Sequence, residues 1–149
     1  MTLSIRPAAV ADIPALCAWN LAMARETEGL ELDPAVLERG VRGVFEQPQR
    51  GFYLVGERDG VAVGGLLVTR EWSDWRNGDY WWIQSVYVVP EARRDGVFRA
   101  LYAEVERRAR AARAASLRLY VEAANERAQR TYAGLGMRPS HYAMYEQVL

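Results

Sequence analysis

Residues 80–122 constrain the fold more than any other part of the chain. Residues 80–89 (YWWIQSVYVV) form a nearly continuous apolar and aromatic run, the pattern of a strand covered on both faces. Pro90 stops the run and the loop Arg93-Arg94-Asp95-Gly96 follows. Phe98, Leu101, Tyr102, Val105, Ala109 and Ala112 then recur at helical spacing. Residues 117–122 return to a strand pattern. Strand, helix and strand in this order make a crossover, so the two strands are expected to lie parallel in one sheet.

The remaining elements arrange themselves around that unit. Residues 3–6 read as a short strand stopped by Pro7. Asp12 is placed to cap a helix with Ile13, Leu16, Cys17 and Leu21 on one stripe, and Pro14 is tolerated in its first turn. A polar stretch, 25–31, follows, and Asp33-Pro34 opens a second helix with Val36, Leu37, Val41 and Val44 inward. Residues 52–57 and 61–69 are strands joined at Asp59-Gly60, a hairpin signal. The loop 71–79, with Asn77-Gly78, makes a further hairpin to the strand 80–89. Asn125 caps a helix over 126–135 that Gly136 stops, and two short strands are expected to finish the chain, the second over 143–148. The fold class is therefore α/β: a mixed, mostly antiparallel sheet with helices on both faces and one parallel strand pair, in a single domain over 1–149.

Composition removes several function classes. Lys+Arg and Asp+Glu both number 19, so the chain lacks the broad basic field of a nucleic-acid binder. All 19 cations are Arg, a bias that follows base composition more often than function. One Cys (Cys17) and one His (His141) form neither a disulfide framework nor a zinc cluster, so no metal is expected. The lone thiol suits a reducing compartment, and neither a signal pattern nor an apolar run of membrane length is visible. A cytoplasmic protein with no membrane or nucleic-acid partner is expected.

Two segments carry chemistry. In residues 86–102 (VYVVPEARRDGVFRALY) a strand leads through an Arg/Gly loop into a helix N-terminus, where converging amides make an anion site. Gly96 lets a phosphate approach the backbone, and Arg93, Arg94 and Arg99 add charge-assisted hydrogen bonds. The same residues also describe a basic surface turn, and alone they support both readings equally. In residues 117–137 (LRLYVEAANERAQRTYAGLGM) a strand leads to a capped helix carrying Tyr132. Its phenol can serve as a general acid, although a helical Tyr beside Ala128 and Leu135 is more often a packing residue.

Together these segments resemble the GNAT N-acetyltransferase superfamily. The family's pyrophosphate loop, Arg/Gln-x-x-Gly-x-Gly/Ala, is matched by Arg93-x-x-Gly96-x-Phe98, with Pro90, Arg99 and Leu101 also in place. Its later pattern, Asn-x-x-Ala-x-x-x-Tyr-x-x-x-Gly-Phe/Met, is matched at Asn125, Ala128, Tyr132, Gly136 and Met137. Phe98 stands where a small residue is usual, and Arg94 where Gly is common.

The resemblance implies an acetyl-CoA-dependent acyltransferase, with acetyl-CoA as co-substrate. The pantetheine arm would run in a V-shaped opening between the strands 80–89 and 117–122, pairing with backbone near Val86, Tyr87 and Val88. The pyrophosphate would rest on Arg93, Arg94, Asp95, Gly96, Val97, Phe98 and Arg99. A strand N–H near Val86 would stabilise the oxyanion, Asn125 would order the loop or a water, and Tyr132 would protonate the departing sulfur.

The general base has no place on the central strand, because Ile83-Gln84-Ser85 holds no titratable acid. Glu122 is favoured over Asp79 or a water chain to Glu26 or Glu28, although each also reads as a solvated surface acid. Glu26, Thr27, Glu28, Trp72, Trp75 and Gln84 are expected around the acceptor, whose cationic amine carboxylates and Trp faces would attract. Trp72 and Trp75 equally suit a homodimer patch. The leading function is acetyl transfer to the amine of a small molecule. Protein acetylation and a non-catalytic acyl-CoA-binding module are the alternatives.

Overall fold

The computed structural model describes residues 2–149. Its elements run β1 (Leu3–Pro7), α1 (Ile13–Glu28), α2 (Pro34–Glu46), β2 (Gly51–Arg58), β3 (Val61–Ser73), β4 (Gly78–Val88), α3 (Val97–Ala111), β5 (Ser116–Leu119) and α4 (Glu126–Gly134). One sheet carries all five strands in sequence order. Strands β1 to β4 pair antiparallel, and β4 and β5 pair parallel, as the crossover requires.

Alternation along the strands divides the interior in two. Leu54, Leu66, Val68, Trp81 and Ile83 point to one face, where Val97, Leu101, Val105 and Ala109 of α3 cover them. Tyr53, Val55 and Tyr87 point to the other face, against Ile13, Leu16 and Trp19 of α1 and Val41 of α2. Leu54, Val55, Leu66, Val68, Leu101 and Val105 are fully buried, so this sandwich of helix, sheet and helix is dry at its centre.

Local signals behave as the sequence predicts at several junctions. Asp59 and Gly60 take φ of 51° and 79°, the left-handed pair of a two-residue hairpin. Asp33 accepts from the amides of Ala35 (2.9 Å) and Val36 (3.4 Å), with Pro34 opening α2. Asn125 caps α4 by accepting from Ala128 N at 3.1 Å.

Elsewhere the structure departs from expectation. Asp12 makes no side-chain cap to α1. Its carboxylate instead takes both Arg6 guanidinium nitrogens, at 2.7 and 2.9 Å, and the amide of Ala9 at 2.7 Å. Helix α1 continues through the polar residues to Glu28, because its last turn is held by side chains rather than by burial (see below). Strand β3 extends to Ser73, and β5 ends at Leu119 rather than at 122. The two C-terminal strands are absent: residues 138–149 are exposed and belong to no strand.

The Arg6–Asp12 pair ties β1 to the start of α1, and Glu57 on β2 joins it through Arg6 Nε at 2.6 Å. The hydrogen bonds from Arg6, with the Ala9 amide and Coulomb attraction to Arg6, hold the Asp12 carboxyl below its ordinary range against an opposing effect of burial. A depressed carboxyl contributes stability above its unfolded pKa of about 3.9 and loses it as pH falls through the folded value. Asp12→Asn should therefore lower unfolding stability at pH 7 by about 1–2 kcal/mol. In urea melts the gap to the parent should narrow as pH falls below about 3.9 and the parent carboxyl takes up its proton.

Candidate active site

The cleft begins at a break in the sheet. Opposite β3, Gly65 pairs with Tyr87 and Leu67 with Gln84, so Ser85 and Val86 together face Leu66. This is a β-bulge, and Ser85 adopts a left-handed φ of 52° within it. The bulge changes which face of the sheet each residue meets. Trp81 and Ile83 lie against α3, whereas Tyr87, an even number of residues further on, lies against α1. Pairing of β4 with β5 stops at Ile83–Leu119, immediately before the bulge. Beyond that point the two chains diverge.

A cavity of about 530 Å³ fills the gap, lined by residues 83–88 on one side and 119–122 on the other. A second cavity of about 260 Å³ adjoins it, reaching Phe98, Arg127 and Thr131. Val86, Asn125, Ala128 and Tyr132 line both.

Tyr132 thus sits where the two spaces meet, half-buried on α4. The edge of its ring system meets Phe98 at 5.9 Å between centroids and 67° between planes. Burial pushes its phenol pKa up, so it stays protonated at neutral pH. The large residue at 98, unusual for the pyrophosphate loop, supplies the surface that positions this ring.

The Arg/Gly loop ends at the N-terminus of α3. Gly96 takes φ 82° and occupies the N-cap position, with open space where a Cβ would stand. Arg94 also takes a left-handed φ, 66°, a conformation that Gly adopts without strain. Arg58 holds the loop to β2 by an ion pair to Asp95 at 3.0 Å. Val97 is buried in the core, while Arg94 and Arg99 are exposed. The first amides of α3 lack helical partners and face a site where an anion is favoured. This free N-terminus, the open side of Gly96 and the unpaired stretch of β4 together fit a long phosphorylated thioester.

Arg93 is differently placed from expectation. Its Nε donates to the Val88 carbonyl at 2.8 Å and its Nη2 to Glu26 at 2.8 Å, with the guanidinium 5.3 Å from the Tyr87 ring centroid. The Tyr87 hydroxyl donates to the second Glu26 oxygen at 2.7 Å. Glu26 therefore serves first to lock α1 against β4 and the loop. Its bonds from Tyr87 and Arg93 hold its carboxyl below the ordinary range, which makes it a poor proton acceptor. Burial, followed by the neighbouring Glu26, raises the Tyr87 phenol.

Of the other expected acceptor residues, Glu28, Thr27 and Gln84 line the larger cavity, as does Glu122. Gln84 donates to Thr69 Oγ1 at 2.5 Å. Trp72 and Trp75 lie outside both cavities, at the far tip of the β3–β4 hairpin, and Trp75 is 90% exposed. Seven residues of β4 separate that tip from the bulge, about 20 Å of strand. Asp79 belongs to the same distant end. Sequence reasoning missed Ser85, and it placed Tyr87 at the site for its backbone without foreseeing the hydroxyl bond to Glu26. The visible signal for the first was the polar pair Gln84-Ser85 interrupting an apolar run.

Comparison with known proteins shows the family. The acetyltransferase (GNAT) family model matches residues 13–137, and the chain belongs to that family. It is an acetyltransferase by family, and acetyl-CoA is the acetyl donor normal to that family. A possible acetyltransferase from Clostridium difficile 630 is similar over 100% of this chain and 99% of its own, at 39% identity and a TM-score of 0.93. Glucosamine-6-phosphate N-acetyltransferase from Arabidopsis thaliana shares the fold at 17% identity and a TM-score of 0.75, with 99% of each chain covered. Ribosomal-protein-alanine N-acetyltransferase from Brucella melitensis biovar Abortus 2308 does so at 15% identity and a TM-score of 0.79, again with 99% of each covered. No curated protein matches the sequence.

The bulge gives a direct test. A β-branched residue is disfavoured at φ 52°, whereas Gly is not. Ser85→Val should lower stability by about 1–2 kcal/mol and weaken acetyl-CoA binding at least about tenfold in calorimetry. Ser85→Gly should leave binding within about twofold of the parent.

Proposed function

We propose that this chain transfers the acetyl group of acetyl-CoA directly to the amine of a small, cationic molecule. The observation that carries this reading is the cleft itself. Phe98 of the first turn of α3 lines the smaller cavity, Tyr132 lines both, and the carboxylates of Glu28 and Glu122 line the larger. A concave site of about 530 Å³ suits a small acceptor better than a flat protein surface.

In this reading the amides of residues 96–99 hold the pyrophosphate, and the stretch of β4 after the bulge orients the thioester arm as an added strand would be oriented. Residues 86–88 supply the backbone for this. Tyr87 pairs with Gly65 of β3 and the Val88 carbonyl already accepts from Arg93, so Val86 and the Val88 N–H carry the free groups. An N–H near Val86 stabilises the oxyanion as the amine adds to the thioester carbonyl. The C–S bond then breaks, and Tyr132 passes its proton to the sulfur. The amine must lose a proton before it attacks. Glu122 is the favoured acceptor of that proton, since Asp79 is remote and Glu26 is committed to Arg93 and Tyr87. Asn125 fixes the start of α4 and so the position of Tyr132.

Three measurements test the reading. An amine panel with a thiol-release readout should show cationic small amines turned over faster than neutral ones or peptide N-termini. No CoA release with any amine, despite measured binding, would instead support a non-catalytic binding module. Gly96→Val forces a β-branched residue to φ 82° and should weaken acetyl-CoA binding at least about tenfold. Tyr132→Phe keeps the contact with Phe98 and should lower kcat by about 100-fold with acetyl-CoA affinity nearly unchanged. A kcat within about twofold of the parent, with chemistry rate-limiting, would make Tyr132 a packing residue only.

A further inference from the structure

We propose that the open face of β4 beside the cleft holds an aromatic ring of the acceptor, so that the acceptor is an amine joined to a planar, uncharged ring by a flexible spacer. This ring site rests on the acetyl-transfer reading and gives the same cleft its substrate class. The register of the sheet defines the face. Trp82 pairs with Thr69 on one side and Arg118 on the other, and Tyr80 pairs with Glu71 and Ser116. Residues paired across strands share a face. Gln84, two residues after Trp82, pairs with Leu67, and Leu67 with Tyr53, which places all of them on the side of α1 and α2.

The two helices do not reach the end of this face near β5. Tyr80, Trp82 and Tyr120 pack into neither core. The Trp82 and Tyr120 rings lie on each other instead, with centroids 4.6 Å apart and 32° between planes, and Tyr120 keeps 56% of its surface open. Beside them the Arg118 guanidinium lies 3.6 Å from the Tyr80 ring centroid, so a flat group already settles on this face within the chain. A stacked cross-strand pair also stabilises a sheet. Its position gives this one a second use, because Tyr120 and Gln84 themselves line the larger cavity. The wall of the cleft therefore continues into the aromatic pair.

Charge decides which flat group fits. Arg118 and Glu71 flank the pair, and they already meet: Arg118 Nη1 and Trp82 Nε1 both donate to Glu71 Oε1, at 3.4 and 2.8 Å. A guanidinium or ammonium on the pair would meet Arg118, whose charge lies 5.9 Å from the Trp82 ring centroid. A carboxylate would meet Glu71. An uncharged ring meets neither penalty, stacks on the open side of the pair and buries apolar area. The cleft end has the opposite character, since the Glu28 and Glu122 carboxylates there favour a cation. A molecule with an amine at one end and an aromatic ring at the other suits both ends at once.

The sheet also sets the length between the two ends. The bulge faces Leu66 and Trp82 faces Thr69, three residues along β3, or about 10 Å of strand. Tyr120 follows Leu119, the last residue of the ladder between β4 and β5, and so stands nearer the bulge than Trp82 does. A ring on this pair therefore lies roughly 7–10 Å from an acyl carbon held at Val86. A single-carbon spacer falls short of that distance, and a spacer of roughly three to five carbons spans it.

Steady-state kcat/KM on two amine series is the test: phenylalkylamines with one to five spacer carbons, and alkylamines of the same chain lengths. The parent should prefer the phenylalkylamine by at least about tenfold at four carbons and by less than about twofold at one. Tyr120→Ala, at an exposed position, should bring the four-carbon ratio to within about twofold of unity. Trp75→Ser, at the hairpin tip, should leave that ratio as in the parent. Binding is read separately from the Trp82 indole N–H in two-dimensional NMR, its signal assigned with Trp82→Phe. Phenylbutylamine should shift that signal and butylamine should not. Equal kcat/KM in the two series, a preference that survives Tyr120→Ala, an unmoved Trp82 signal, or a stronger preference for an aminoalkylguanidine would each overturn the proposal. No turnover of any amine, with the Trp82 signal still moved by phenylbutylamine alone, would overturn the transfer reading and leave the ring site standing.

Discussion

Everything at the centre of this protein depends on one failure of strand pairing. Parallel strands β4 and β5 share a ladder for four residues, and then the bulge at Ser85 and Val86 turns β4 away. A continuous ladder would have closed the sheet and left no opening. The break frees polar backbone groups in the middle of the domain, where backbone is normally satisfied by its neighbours. Such groups are expensive to leave dry and unpartnered, and in the proposed function an extended, hydrogen-bonding ligand satisfies them. The left-handed Ser85 is local strain of the kind that persists only where surrounding packing holds it. Here the two cores, one on each face of β4, do the holding.

Around that break, charged side chains are used for positioning as much as for binding. Arg93 spans Val88, Glu26 and the Tyr87 ring, and so fastens α1, β4 and the loop before α3 to one another. Arg58 and Asp95 fasten the other end of the same loop to β2. The loop is thereby fastened at both ends, to β2 through Arg58 and to α1 through Glu26. Exposed ion pairs of this sort add little to global stability, but they restrict a segment that has few apolar contacts of its own. An all-Arg set of cations suits this role, since a planar fork can bridge a carbonyl and a carboxylate at once.

Phe98 and Tyr132 show how a departure from a common pattern is absorbed. A small residue at 98 would leave space beneath the phenol. The Phe ring fills it and meets Tyr132 edge-on, an arrangement that favours one ring orientation. The same contact is one of few that hold α4, whose residues are otherwise at the surface.

The sequence by itself determined the crossover, the hairpin at Asp59-Gly60, the caps at Asp33 and Asn125 and the family motifs, because each depends on residues near one another along the chain. Turn chemistry, capping and apolar periodicity act over a few residues, so the sequence displays them directly. The tertiary structure alone decided what required distant segments to meet. It took Asp12 from a helix cap to a partner of Arg6, and it gave the Arg93 side chain a partner in Glu26, sixty-seven residues away. It set Trp72, Trp75 and Asp79 at the far end of β4, since strand length separates them from the bulge. It also left residues 143–148 unpaired, although their pattern is that of a strand. A strand pattern does not say which edge, if any, the segment meets, because the hydrogen bonds that make a strand lie outside the segment itself.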